Sequence, residues 1–193
     1  RRMQAIRKSL DPEVLFRVLS VYNYDVSRNN ETLAFSWNKS GQWEIYLLNL
    51  RTREIELVTK GAESKVSSAN APDGKQLAYT QDFQGDEKFD IFLLGLPRGE
   101  ITNLTPDTDE AIYPHVRWSP DGRRLAFASN RAKRFSVYTL SSSGGEPERI
   151  SDHEFSDSDP EWSPDSKWVA FNALVSAQNY GVFIAPAQGG ELR

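Results

Sequence analysis

At 193 residues, with 38% hydrophobic content, five Trp, seven Tyr and ten Phe, the chain has enough apolar and aromatic mass for a core, which excludes disorder. Its net charge of −4 gives no electrostatic basis for binding nucleic acid or an anionic membrane surface. The absence of cysteine excludes disulfides, thiolate metal sites and a cysteine nucleophile, and no apolar run reaches the length of a membrane span or signal-peptide core.

The first expected element is a helix. In "DPEVLFRVL", Asp11 stands at an N-cap, Pro12 at the first helical position and Glu13 in the first turn. Val14, Leu15, Val18 and Leu19 then share one face. Residues 1–20 therefore read as a helical lead-in, with "RRMQAIRK" extending it as a basic, solvated end.

From residue 21 onward the chain repeats itself. "VSRNNETLAF" begins at Val26, "NAPDGKQLAY" at Asn70, "WSPDGRRLAF" at Trp118 and "WSPDSKWVAF" at Trp162. Anchored on Leu33, Leu77, Leu125 and Val169, the copies are spaced by 44, 48 and 44 residues. A fixed period of this length marks a repeat architecture. The repeats fall near residues 21–60, 64–106, 111–152 and 157–193.

The third copy is the cleanest. "YPHVRW" (113–118) reads as a first strand, "RLAFAS" (124–129) as a second, "FSVYTL" (135–140) as a third, and "RIS" (149–151) starts a fourth. Between the first two, "SPDG" supplies Pro for the second turn position, Asp to bond its own backbone, and Gly to accept positive φ. Asn29-Asn30 replaces Asp-Gly in the first copy, and Ser166 replaces Gly in the fourth.

Third strands recur as "WEIYLLNL", "FDIFLLGL" and "YGVFIA", and fourth strands as "EIELVT" and "EITNLT". The second strands are nearly continuous in apolar residues, which implies burial on both faces. Each carries Ala and then an aromatic: Ala34-Phe35, Ala78-Tyr79, Ala126-Phe127 and Ala170-Phe171. All four Ala are expected between packed sheets. The expected fold is all-β, a β-propeller of four-stranded antiparallel blades with about four blades present.

No G-x-S-x-G elbow occurs, and "SSSGG" (141–145) lies in a turn, so no catalytic residue is assigned. His115 falls in a first strand, facing the channel or a neighbouring blade. His153 sits among Asp152, Glu154, Asp157 and Asp159 without Ca²⁺-loop spacing, so no metal and no cofactor is expected. The loop "QDFQGDEKFD" holds Asp82, Asp86, Glu87 and Asp90. It reads either as a solvated hairpin or as an acidic rim for a cationic peptide end. Arg131, with Lys133 and Arg134, forms a small basic loop that lacks the stacking aromatics of a nucleic-acid site. Asp82, Glu87 and Arg131 are the candidate substrate-binding residues.

With its repeats laid out, the chain resembles the N-terminal β-propeller of the prolyl oligopeptidase family, particularly the acylaminoacyl-peptidase branch. "WSPDGRRLAFASNR", "APDGKQLAYTQDFQGDEKFDIFLLGL" and "LAFSWNKSGQWEIYLLNL" carry the resemblance, over about residues 11–193. The S-P-D-G and L-A-F elements are shared with TolB-type propellers. The resemblance implies a seven- or eight-bladed propeller capping a C-terminal α/β-hydrolase domain with a Ser-Asp-His triad, and a gating role that admits short peptides. No residue of that triad maps onto this chain. The last copy stops before its fourth strand, so the chain reads as an N-terminal fragment forming an open arc that self-associates when isolated. The rival reading is a stand-alone TolB-like propeller that docks a protein or peptide. The expected location is cytoplasmic, or periplasmic if the chain is TolB-like.

Overall fold

The computed structural model describes residues 20–106, 111–152, 154–176 and 179–191; the helix expected over residues 11–19 lies outside them. The described residues form four antiparallel sheets, one per sequence repeat. The first contains β1 (Val21–Val26), β2 (Thr32–Trp37), β3 (Glu44–Asn49) and β4 (Ile55–Leu57). The second contains β5 (Lys65–Asn70), β6 (Gln76–Gln81), β7 (Asp90–Gly95) and β8 (Ile101–Asn103). The third contains β9 (Ile112–Trp118), β10 (Arg124–Ser129), β11 (Ser136–Ser141) and β12 (Glu148–Arg149). The fourth has three strands, β13 (Asp157–Trp162), β14 (Trp168–Ser176) and β15 (Asn179–Pro186). Within each sheet the strands lie side by side in chain order, as in a propeller blade.

The turn between the first two strands shows why Ser, Asp and Gly recur there. In the third blade, the Ser119 hydroxyl accepts from Arg124 N–H at 2.9 Å and donates to Asp121 Oδ1 at 2.7 Å. Asp121 Oδ1 also accepts from Arg123 N–H at 3.1 Å. Ser163 and Asp165 repeat this arrangement in the fourth blade, and Ser27 and Asn29 repeat it in the first. The next position is left-handed in every copy, with φ of 57° at Asn30, 70° at Gly74, 72° at Gly122 and 61° at Ser166. Glycine occupies two of the four because it alone takes this conformation without steric cost.

Register then fixes which side chains face which neighbour. Leu33, Leu77, Leu125 and Val169 pair across to Leu48, Leu94, Leu140 and Ala185. Each following aromatic stacks on a third-strand ring: Phe35 on Tyr46 at 5.8 Å, Tyr79 on Phe92 at 5.5 Å, Phe127 on Tyr138 at 6.0 Å and Phe171 on Phe183 at 6.2 Å. This Leu/aromatic face of one blade packs onto the Ala face of the blade before it. Leu77 and Tyr79 meet Ala34 and Ile45; Leu125 and Phe127 meet Ala78 and Ile91; Val169 and Phe171 meet Ala126 and Val137.

The array does not close among the described residues. Each blade packs on the next, but the fourth does not pack back on the first. Ala34, Ala78 and Ala126 are fully buried as the sequence implies, whereas Ala170 is only half-buried, because no blade covers the forward face of the fourth sheet. Val182 makes the same point. It is 72% exposed, while its register equivalents Ile45, Ile91 and Val137 are all 0%.

Two substitutions test this packing. Ala126→Leu overfills a closed interface and is expected to cost roughly 1–3 kcal/mol, while Ala170→Leu on the open face stays within about 0.5 kcal/mol of the parent; urea denaturation of the pair measures the contrast. Gly122→Ala is expected to cost about 1 kcal/mol through backbone strain. Space is not the cause there, since a Cβ at that position lies 3.7 Å from the nearest atom, Pro72 Cδ.

Candidate functional site

The inner strands β1, β5, β9 and β13 face the axis and break register at the same place. The irregularity places Asn23, Ser67 and Asp159 in the left-handed region, at φ of 53°, 47° and 52°. A bulge re-aims a side chain, and here it brings polar groups of adjacent blades together. Asn23 Oδ1 accepts from Ser68 N–H at 3.2 Å. His115 Nδ1 lies 3.6 Å from Asp159 Oδ1, and Arg117 Nε donates to Glu161 Oε1 at 2.7 Å. Burial holds the His115 imidazole below its usual range; Arg117 adds to that shift, and Asp159 and Glu161 oppose it. His115 thus lines the axis and touches the next blade at once.

The inner strands are also joined by one recurrent hydrogen bond. Asn70 Nδ2 donates to the Asp25 carbonyl at 3.0 Å, Trp118 Nε1 to the Ala69 carbonyl at 3.0 Å, and Trp162 Nε1 to the Arg117 carbonyl at 3.1 Å. The three donors share one register position, and so do the three acceptors.

The sequence candidates sit at the other end of the blades from the S-P-D-G turns, where second strands end and third strands begin. Asp82 is buried and staples its blade: its Oδ1 accepts from Ser64 N–H at 2.9 Å while its N–H donates to the Ser64 carbonyl at 3.1 Å. Asn38 and Asn130 make the same reciprocal pair with Ser20 and Ala111. Burial, then the charges of Glu63 and Asp86, hold the Asp82 carboxyl above its ordinary value, against the Ser64 N–H that favours the anion. Glu87 is exposed in the adjoining loop at φ 58°. Arg131, on the next blade, lies over Tyr138 at 5.3 Å and Phe127 at 5.9 Å and lines a groove of about 450 Å³ with Thr105, Ser143 and Gly145. The three candidates share an end of the molecule without forming one cluster. His153 lies outside the described residues, and among those no group of three or more His, Asp or Glu is arranged to hold a metal.

Sequence reasoning misses a buried ion pair between the first two blades. Lys65 and Glu44 are 2% and 3% exposed, with Lys65 Nζ 3.3 Å from Glu44 Oε1 and 2.6 Å from the Glu63 carbonyl. The Thr59 hydroxyl donates to Glu44 Oε2 at 2.5 Å and accepts from Ile45 N–H at 2.8 Å. Burial, and secondarily the Glu44 charge, push Tyr79 up to about 12. The available signal was the repeated hydroxyl closing each fourth strand. Thr105 and Ser151 accept from Ile91 and Val137 N–H just as Thr59 does, and both donate to carboxylates, Asp90 and Asp157.

The TolB β-propeller domain model matches residues 21–192, a span that contains all four sheets. The chain belongs to the TolB-type β-propeller family. It is 35% identical over 104 residues to YuxL, an uncharacterized peptidase of Bacillus subtilis, covering 51% of this chain and 16% of that protein. It is 29% identical over 139 residues to a TolB homolog of Chlorobium chlorochromatii, covering 72% of this chain and 30% of the relative. A TolB structure from Agrobacterium tumefaciens superposes with a TM-score of 0.74 at 26% identity, over 89% of this chain and 63% of that one. The chain therefore spans less than a third of these two curated relatives. The TolB-type blades here are related to the propellers of peptidases as well as to TolB itself.

Lys65→Met leaves Glu44 charged and unpaired in the interface and is expected to cost about 3–5 kcal/mol, most of which the Lys65→Met, Glu44→Gln double variant regains; thermal unfolding of the three proteins checks this. The His115 ring is expected to titrate below 6.5 by NMR, further below in Asp159→Asn and higher in Arg117→Gln. Because folding favours the neutral ring, its contribution to stability is complete above 6.5 and is lost as pH falls through the lowered value.

Proposed function

We propose that this chain is the non-catalytic propeller portion of a prolyl-oligopeptidase-type serine peptidase, gating access and selecting short peptides for an α/β-hydrolase domain of the parent protein. The observation that carries the reading is the 35% identity to a bacterial peptidase over a stretch that makes up 16% of that protein. The geometry supports it. Polar side chains of the inner strands line the axis, and carboxylates gather at one end of the blades, where burial first, and then Glu63 and Asp86, raise the Asp82 carboxyl. A negative rim of this kind attracts the charged amino end of a peptide. Asp86 and Glu87 are its exposed members and Arg131, on the next blade, the opposing charge.

A second reading, a TolB-like module that docks a protein or peptide without any linked hydrolase, is favoured by the Agrobacterium structure, which is similar along nearly the whole of this chain. One experiment on the full-length parent separates them. The peptidase reading expects labelling by a fluorophosphonate and cleavage of short chromogenic peptides, with denatured long chains cleaved far more slowly. A full-length protein that neither labels nor cleaves, yet retains peptides, establishes the docking module instead.

A further inference from the structure

The recurrent inner-strand hydrogen bond has a fourth place. Its acceptors are the carbonyls of Asp25, Ala69 and Arg117, and the next register equivalent is the Glu161 carbonyl on the forward face of the fourth blade. A groove of about 340 Å³ opens there, lined by Glu161, Trp162, Ser163, Trp168, Ala170 and Ile184. Their register equivalents in the third blade are Arg117, Trp118, Ser119, Arg124, Ala126 and Thr139, the part of that blade on which Trp162 is seated.

We propose that this groove is a socket for an indole carried on the inner strand of another blade of the same repeat type, with its Nε1–H donated to the Glu161 carbonyl. The lining favours an indole over the amide that serves in the second blade. Asn70 works there because the Asp25 carboxylate also accepts from it, at 2.7 Å from N–H and 2.9 Å from Nδ2. The corresponding carboxylate in the fourth blade, Glu161, is engaged by Arg117. The fourth socket is also more apolar than the third, with Trp168 and Ile184 standing where the third has Arg124 and Thr139. The chain's own first blade is not the occupant. Val26 holds the donor position there and has no hydrogen to give, so a head-to-tail contact between two copies leaves the socket without its indole.

The inference rests on blade packing alone and is independent of the peptidase reading. It is tested on the 193-residue chain, labelled at Ala and Ile methyls and titrated with N-acetyltryptophanamide. Ala170 and Ile184 are expected to shift saturably, and N-acetylleucinamide to leave them in place. The 1-methylindole analogue, which lacks the donor, is expected to bind about fivefold more weakly, the worth of one hydrogen bond. Ala170→Leu is expected to lose at least tenfold in affinity. Unmoved Ala170 and Ile184 methyls, equal affinity for the methylated analogue, or unchanged binding by the Ala170→Leu protein would each overturn the proposal.

Discussion

Among the described residues, each blade but the last is covered by the one that follows it. A single sheet of three or four short strands has two apolar faces, and water cannot cover either without losing the hydrophobic free energy that holds the strands together. The second strand resolves this by carrying two kinds of surface in alternation. Leu or Val and an aromatic ring point backward, and Ala points forward, so the bulk of one blade meets the shallow face of the blade before it. The Trp and Asn hydrogen bonds then tie each inner strand to the one before it. The remaining features, including the buried Glu44–Lys65 pair and the polar axis, occupy positions that this packing creates.

Much of this is legible in the sequence because a repeat is read four times. The eroded first copy is recognisable only against the third, and the turn positions Asn30 and Ser166 can be assigned positive φ only because Gly74 and Gly122 stand in the same place. The same comparison between copies would have reclassified Asp82. Alone it reads as part of an acidic loop; beside Asn38 and Asn130 it is a side chain that pairs its own backbone to the start of the first strand.

What stays hidden is whatever departs from the repeat. Glu44 recurs as an acid only at Asp90, with Ser136 and Gly181 in the other two blades, and its partner Lys65 belongs to another blade, so the repeated hydroxyl marks the carboxylate but not the ion pair. Ala170 fails for the opposite reason. The repeat assigns it the burial of Ala126, but burial depends on a neighbour, and the symmetry of the sequence says nothing of where the array meets solvent. The functional reading has the same limit. An axis lined by His115, Asp159 and Asn23 and a rim of carboxylates are features that many propellers can turn to different uses. Here they gain meaning from relatedness to a peptidase rather than from geometry alone.

The central claim, that a blade's stability comes from its neighbours, is tested most directly by native-state hydrogen exchange of the second-strand amides. In a linear array the interior units are held from both sides and the terminal unit from one. The account predicts strong protection in β6 and β10, which lie between covered faces, and markedly faster exchange in β14, whose forward face is open. Equal protection of β6, β10 and β14 would contradict it, since each sheet would then be stable without the neighbour that covers it.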